Sequence, residues 1–303
     1  MPSFFIRTFG CQANVYDSER LTQALTRAGW TPAAEADADL LVVNTCTVRS
    51  LAEDKAFSQV GRWAKLKRSH PDRIVGMIGC LAQHLGKEAF RRAPALDFLA
   101  GPRTLLRVPE LAAQARQRRR TADFDDAGYG AGVTRPAPGG GVSAFVGVME
   151  GCDQFCAYCA VPLARGREAS RPAEDVLAEA RARLDAGARE IVLLGQNVNR
   201  YGRDLKPPAA FADLLRRAAA LPGLLRLRFL TGHPANFSDG LIAAMAESPP
   251  VCEHLHLPLQ SGSTRILAAM HRGYTAADYD RLADKLLAAV PGLVLSTDLI
   301  VGF

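Results

Sequence analysis

Residues 1–120 alternate short apolar runs with helical patterns, and a chain written that way has few folds open to it. The runs at residues 4–9, 40–44 and 74–78 are bounded by turn residues and read as buried strands. Helical patterns near residues 17–28 and 52–67 separate them, which predicts an α/β domain with a parallel, Rossmann or flavodoxin-like sheet. In such a sheet every strand carboxyl end lies on one edge, where ligands bind. Cys11, Cys46 and Cys80 each stand just past one of these runs. Topology therefore predicts that three thiols isolated in sequence converge into one three-thiolate site.

A second set of cysteines is local. Cys152, Cys156 and Cys159 fall in the run Gly151-Cys152-Asp153-Gln154-Phe155-Cys156-Ala157-Tyr158-Cys159. Structural zinc closes a tetrahedron with four protein groups, usually as two knuckles, and no second CxxC or HxxxH pair follows. An iron-sulfur cluster suits three thiolates better, because they are the usual ligands of a four-iron cluster and three leave the fourth iron open. A thiol group without metal is the competing reading, but packing alone seldom sets cysteines at this spacing.

Residues 121–141 mix Gly, Pro, Asp and Ala without periodicity, end in Gly139-Gly140-Gly141, and read as an exposed linker. The glycine triplet lacks the spacing and following helix of a phosphate loop. Beyond it, strand patterns at 144–149, 190–194, 225–230, 252–257 and 293–301 alternate with helical patterns at 173–186, 211–220, 238–246, 263–270 and 276–288. Repeated βα units predict a barrel or partial barrel with its chemistry at the strand carboxyl ends. The expected organisation is a domain at 1–120, a linker at 121–141 and a second domain at 142–303.

Charge and cysteine usage narrow the setting. Six of the seven cysteines lie in cluster-like contexts and no signal peptide precedes them, which points to a reducing, cytoplasmic location. No apolar run approaches the length of a membrane span. The excess of 37 basic over 31 acidic residues suits an acidic partner such as RNA. The run Arg116-Gln117-Arg118-Arg119-Arg120 reads as a solvated helix end or a phosphate contact. Arg165, Arg167 and Arg171, just after the second cysteine set, are RNA candidates by position or clamps on that loop.

The Cys-x3-Cys-x2-Cys spacing with Tyr158 before its last cysteine resembles the signature of radical S-adenosylmethionine enzymes. Thr8-Phe9-Gly10-Cys11-Gln12-Ala13-Asn14 with Asp17-Ser18-Glu19, Asn44-Thr45-Cys46-Thr47-Val48-Arg49 and Gly79-Cys80-Leu81-Ala82-Gln83 resemble the amino-terminal domain of the methylthiotransferases. Arg165-Gly166-Arg167-Glu168 with Ser170-Arg171-Pro172, Leu194-Gly195-Gln196-Asn197-Val198-Asn199, and His256-Leu257-Pro258-Leu259-Gln260-Ser261-Gly262-Ser263 extend the resemblance over nearly the whole chain. Ala13 replaces the methionine expected there, a small change beside a ligand position.

That resemblance implies a methylthiotransferase domain with an auxiliary 4Fe-4S cluster on Cys11, Cys46 and Cys80. It implies a radical S-adenosylmethionine partial barrel with a second 4Fe-4S cluster on Cys152, Cys156 and Cys159. There the open iron chelates S-adenosylmethionine, whose reductive cleavage gives a 5'-deoxyadenosyl radical, while the auxiliary cluster delivers sulfur methylated by a second S-adenosylmethionine. The linker must then let the clusters face each other. The implied reaction is methylthiolation of C2 of isopentenylated adenosine 37 in the anticodon stem-loop of tRNA. A monomeric enzyme served by a low-potential donor such as flavodoxin or ferredoxin is expected. The family continues beyond Phe303 with an acidic loop, a closing strand and an RNA-binding β domain, so the chain is expected to be a fragment truncated at its carboxyl end.

Gln196 and Asn197 end one predicted strand and Gln260 and Ser261 another, so all four are candidates to hold S-adenosylmethionine at the barrel mouth. Helix capping competes for Ser261 and turn chemistry for Asn197. His233, His254 and His256 read as core or rim histidines, since no carboxylate partner is legible, and Cys252 as a small buried apolar residue. Relatives acting on threonylcarbamoyladenosine in tRNA or on a ribosomal-protein aspartate are alternatives, against which the Gln12-Ala13-Asn14 and Gly195-Gln196-Asn197 contexts argue. A non-catalytic iron-sulfur carrier or redox sensor is a third, although a carrier needs no open iron.

Overall fold

A computed structural model of the chain describes residues 1–117, 119–125, 141–230 and 232–303. Two compact units emerge: described residues 1–125 with Leu163–Gly166, and residues 141–162 with Arg167–Phe303. Most of the expected linker, including Gly139 and Gly140, lies outside the described residues. Among those described, no helix is long and apolar enough to cross a membrane.

In the first unit, β1 (Ser3–Phe9), β2 (Thr31–Pro32), β3 (Leu40–Thr45), β4 (Ile74–Ile78), β5 (Phe98–Ala100) and β6 (Thr121–Asp123) form one parallel sheet. Its order, β2-β1-β3-β4-β5-β6, is the flavodoxin-like arrangement with a sixth strand added. Five helices join the strands: α1 (Gln12–Arg27), α2 (Ser50–Ser69), α3 (Cys80–Leu85), α4 (Glu88–Arg92) and α5 (Val108–Arg116). Strands β3 and β4 are buried along their whole length because helices cover both faces. Leu40 and Val42 pack with Leu21, Leu25 and Leu111 of α1 and α5. Leu41 and Val43 point the other way, onto Val60 and Trp63 of α2 and Leu81 of α3. Gly76 of β4 leaves room for the Phe98 ring, since a Cβ there would lie 2.1 Å from it.

Residues 121–123, expected to open the linker, instead form edge strand β6 in register with β5. Three residues are too few to show a period in sequence. What holds them is tertiary: the Thr104 hydroxyl donates to the Asp123 carbonyl at 2.7 Å and Arg107 to its carboxylate at 3.0 Å.

The second unit is a partial βα barrel. Strands β7 (Ser143–Gly147), β8 (Met149–Glu150), β9 (Ala169–Ser170), β10 (Glu190–Leu194), β11 (Arg226–Phe229), β12 (His254–His256) and β13 (Val294–Ser296) alternate with helices α6 (Val161–Arg165), whose residues from Leu163 on belong to the first unit, α7 (Ala173–Asp185), α8 (Phe211–Ala219), α9 (Asp239–Glu247), α10 (Thr264–Ala269) and α11 (Ala276–Ala289). Parallel pairings link β7 to β10 and β10 to β11, and a parallel bridge joins Leu227 to Val251. Another parallel pairing joins β12 to β13, with a bridge from Gln260 to Leu299 beyond it. Val146, Ile191, Leu193, Leu227 and Leu255 pack against Val176, Leu215, Met245 and Leu286 of the surrounding helices in one core.

Two predicted strands change form. The 144–149 strand breaks after Gly147, and β8 turns to pair antiparallel with β9. The 293–301 strand shortens to β13 plus the Leu299 bridge. At the break, buried Arg171 donates to the Gly147 carbonyl at 2.6 Å and to Glu179 of α7 at 2.7 Å, and Arg183 lies 3.8 Å from the same carboxylate. The Tyr201 hydroxyl donates to the Arg171 carbonyl at 2.7 Å. Arg171 is therefore a structural clamp, not an RNA contact.

Candidate metal centres

The flavodoxin-like order places the first cysteine set. Between β1 and β3 the chain reverses its direction of travel across the sheet, and ligands bind such sheets in the crevice beyond the carboxyl ends at this switch point. Cys11 stands at the amino end of α1 after β1, Cys46 follows β3, and Cys80 opens α3 after β4. Cys11 is exposed while Cys46 and Cys80 are buried.

A buried amide network fixes these three. Asn14 Oδ1 accepts the Cys11 N–H at 3.2 Å and its S–H at 3.5 Å, while Asn14 Nδ2 donates to Asn44 Oδ1 at 3.1 Å. Asn44 Nδ2 donates to the Asn14 carbonyl at 2.9 Å and to Ser18 Oγ at 3.0 Å. The Val48 N–H donates to the Cys46 sulfur at 3.3 Å. Buried Arg165 completes the set, donating to Asp17 at 2.6 Å.

The thiols sense one another. A hydrogen bond from Cys46 lowers Cys11 to about 5 against the opposing effect of burial, and Arg165 helps. The same bond, then burial, raises Cys46, and burial raises Cys80. Metal binding deprotonates such ligands and draws on this linked set as a whole.

Gly79 shapes this edge. Its φ of +90° lies in the region that favours glycine, and a Cβ would sit 2.4 Å from Asn44 Oδ1 and 3.0 Å from the Thr45 carbonyl. Gly79→Ala is expected to destabilise the first unit by roughly 3 kcal/mol, from backbone strain plus overpacking. It should also reduce the iron held per chain after reconstitution. Denaturant unfolding and iron analysis check both, and an alanine variant matching the parent in each would overturn the account.

The second set lies in the second unit on the loop after β8. Cys152 and Cys156 are buried and Cys159 half-buried. Each sulfur accepts a hydrogen bond: from the Gln154 N–H to Cys152 at 3.5 Å and the Val161 N–H to Cys159 at 3.4 Å, both local, and from the distant Arg272 Nη1 to Cys156 at 3.4 Å. The loop is tied down at Gly151, whose N–H donates to Gln196 Oε1 at 2.7 Å, and at Asp153, whose N–H donates to Glu168 at 3.1 Å. Glu168 in turn pairs with Arg200 at 2.7 Å. Burial pushes Cys152 up to about 11 and raises Cys159.

A cavity of about 170 Å³ opens beside these sulfurs, lined on its far side by Gln196, Asn197, His233 and Gln260. Three of the four expected cofactor-binding residues thus gather there. Ser261 does not line it, and its hydroxyl accepts the Ser263 N–H at 3.2 Å in a local turn. Asn197 is buried, with no hydrogen-bond partner for either amide atom. Burial, with Arg272 and Arg200 nearby, lowers His233 to about 3, so its imidazole is neutral. Its Nδ1 accepts the Ala235 N–H at 3.3 Å, which assigns the proton to Nε2, an atom buried without a partner. Leaving such groups unmet costs about 1–3 kcal/mol each. The cavity therefore carries both donors and an acceptor suited to a polar guest.

Both triads fit an iron-sulfur cluster in donor chemistry: three thiols each, with N–H donors on their sulfurs. Among the described residues no three His, Cys, Asp or Glu side chains are grouped for a single metal ion. Thiolates on a four-iron core sit at separate corners, farther apart than the ligands of one ion.

The other candidates sort by contact. His254 and His256 share Ser296 Oγ, at 3.4 and 3.0 Å, and His256 also meets Asp298 at 3.3 Å, a carboxylate the sequence did not reveal. Cys252, expected to be buried, is half-buried. Arg165 is buried against Asp17, whereas Arg167 is exposed, pairing with Asp153 at 3.2 Å and lying over the Phe155 ring. A larger cleft of about 680 Å³ lies at the opposite, amino edge of the first sheet and is lined by Lys67, Arg73, Arg116, Arg119 and Arg120. Four of these five cations are tied internally: Lys67 to Asp97, Arg73 to the Ala36 carbonyl, Arg116 over Trp30, and Arg120 to the Pro94 carbonyl. Arg118 lies outside the described residues.

Comparison with known proteins separates the same two regions. Residues 3–101 match the uncharacterized protein family UPF0004, and residues 146–303 match the radical SAM superfamily. The chain is 45% identical over 309 aligned residues to a tRNA-2-methylthio-N(6)-dimethylallyladenosine synthase of Carboxydothermus hydrogenoformans, with 99% of this chain and 70% of that protein covered. It is 46% identical to the protein of the same name from Ectopseudomonas mendocina, with 99% and 68% covered. Among solved structures, the radical S-adenosylmethionine methyltransferase TsrM from Kitasatospora setae superposes with a TM-score of 0.67 at 17% identity, over 98% of this chain and 67% of that one. The cobalamin-dependent radical enzyme OxsB gives 0.68 at 11% identity, over 99% of this chain and 49% of that one. Both share the fold.

Proposed function

Because this chain belongs to the methylthiotransferase family of radical S-adenosylmethionine proteins, we propose that it methylthiolates tRNA, replacing the C2 hydrogen of N6-isopentenyladenosine 37 beside the anticodon. The observation that carries this reading is 45% identity, sustained across 99% of the chain, to a synthase named for that product. In this reading Cys152, Cys156 and Cys159 hold one 4Fe-4S cluster and Cys11, Cys46 and Cys80 the other. When bound, the clusters and S-adenosylmethionine supply reductive sulfonium cleavage and a sulfur donor.

The chain's own residues do the rest. Gln196 fixes the start of the cysteine loop through the Gly151 amide, and Glu168 with Arg200 fixes its middle. Asn197, with the Nε2–H of His233, offers polar contacts to S-adenosylmethionine in the cavity, and Gln260 borders the same space. Ser261 serves the turn before α10 instead. Asn197, His233 and Arg272 are buried where they line the cavity, the side on which a radical reaction would need water kept out. Asn14 and Asn44 keep Cys11 oriented in the first unit. A low-potential flavodoxin or ferredoxin as donor, a monomeric enzyme and a cytoplasmic setting complete the proposal.

Two measurements test it. Anaerobic reconstitution should give about eight irons per chain, as two four-iron clusters require, and a value near four would remove one site. Nucleosides digested from tRNA of cells lacking the gene should lose the methylthio mass and retain isopentenyladenosine. Unchanged nucleosides with S-adenosylmethionine left uncleaved by the reduced protein would favour the electron-carrier reading.

A further inference from the structure

We propose that Arg272 is the fixed counter-charge of the second-unit cluster, raising its reduction potential and so setting how readily an external donor can reduce it. The inference rests on the reading that Cys152, Cys156 and Cys159 hold that cluster.

Arg272 follows α10, in the run Met270-His271-Arg272-Gly273-Tyr274, far in sequence from the cysteines. It is only 5% exposed. Its guanidinium is gripped from three sides: Nη1 donates to Cys156 Sγ at 3.4 Å, Nη2 to the Pro258 carbonyl at 3.0 Å, and Nε to the Tyr274 hydroxyl at 3.2 Å. That hydroxyl donates onward to the Leu259 carbonyl at 2.8 Å. The cysteine loop binds the same turn, because the Ala157 N–H donates to the Met270 carbonyl at 3.0 Å. The cation can neither swing away from the sulfur nor reach water freely.

Among the described residues no carboxylate meets its guanidinium. The groups that its guanidinium meets are one peptide carbonyl, a phenol and a thiol, all neutral as they stand. Arg165 in the first unit differs, since it meets the carboxylate of Asp17 at 2.6 Å. Near the second triad the acidic Glu168 is already paired with Arg200. The N–H groups on Cys152 and Cys159 are dipoles, whereas Arg272 brings a full charge.

The sign follows from charge counting. A four-iron, four-sulfide core of charge 2+ with three thiolates carries about one net negative charge, and one-electron reduction makes it two. A cation held in a buried, weakly screening site stabilises the more negative state. Removing it makes the cluster harder to reduce. The electron comes from an external low-potential reductant, and no bond at Arg272 forms or breaks.

The test uses the full chain with Cys11→Ala, Cys46→Ala and Cys80→Ala, so that one cluster titrates. After anaerobic reconstitution, a midpoint is read by electron paramagnetic resonance during dithionite titration. Arg272 is compared with Arg272→Lys, which keeps the charge, and with Arg272→Gln and Arg272→Met, which lose it. The expected result is a midpoint near the parent's for Lys and a more negative one for Gln and Met, at matched iron content. If Met fails to assemble the cluster, the Lys and Gln pair decides. Equal midpoints, or Gln following Arg while Lys follows Met, would overturn the proposal in favour of packing or hydrogen bonding. If the parent itself binds no cluster, the assignment of Cys152, Cys156 and Cys159 falls and this inference with it.

Discussion

Cys156→Ala is expected to reduce 5'-deoxyadenosine release from S-adenosylmethionine to background, whereas Cys46→Ala should leave that release near the parent level and abolish methylthiolation of tRNA. The division arises because the two triads are built separately. Cys156 belongs to a loop held by Gln196, Glu168 and Arg272 inside the second unit. Cys46 follows β3 in the first sheet, and its amide donor comes from Val48. Neither site draws a ligand from the other. Product analysis after anaerobic incubation with dithionite measures the first activity, and nucleoside mass analysis the second. Equal loss of cleavage in both variants would sink the separation of roles.

The largest expected loss of stability lies away from either triad. Glu179→Leu should destabilise the second unit by about 3–5 kcal/mol, because it leaves Arg171 and Arg183 buried without their shared carboxylate. At this size of unit that corresponds to a fall in Tm of roughly 10 °C. Arg171 would also stop holding the end of β7 through the Gly147 carbonyl. Thermal unfolding monitored by circular dichroism provides the check. Retention of the parental Tm would show that solvent or another acid takes over.

Much of this was legible in the chain. Period and breaker residues located β1, β3 and β4, and with them the edge where Cys11, Cys46 and Cys80 meet, because buried parallel strands leave continuous apolar runs. The loop triad was visible in its spacing alone. Short elements escaped: β6, β8 and β9 have too few residues to carry a pattern, and tertiary hydrogen bonds define them. The supports of the sites escaped for another reason. Asn14 and Asn44 lie thirty residues apart, and Arg272 lies 116 from Cys156, so no local window shows that they touch. For Ser261 the pattern left two readings, because ending a strand places a residue at the rim without choosing where its side chain points; here its hydroxyl accepts the Ser263 N–H.

The contrast between the triads has a consequence for the unfolded chain. A cluster on Cys152, Cys156 and Cys159 closes rings of only a few residues, which restrict an already local loop. One on Cys11, Cys46 and Cys80 ties together points about 35 residues apart, across three adjacent strands. A cross-link over such a span removes roughly 3–4 kcal/mol of conformational freedom from the denatured ensemble, by analogy with disulfide rings. On the proposed ligand set, cluster loading in the first unit would help fold the sheet around β1, β3 and β4, and oxidative loss of that cluster would lower the cooperativity of the domain. In the second unit the same loss frees a loop and leaves the arc of strands standing.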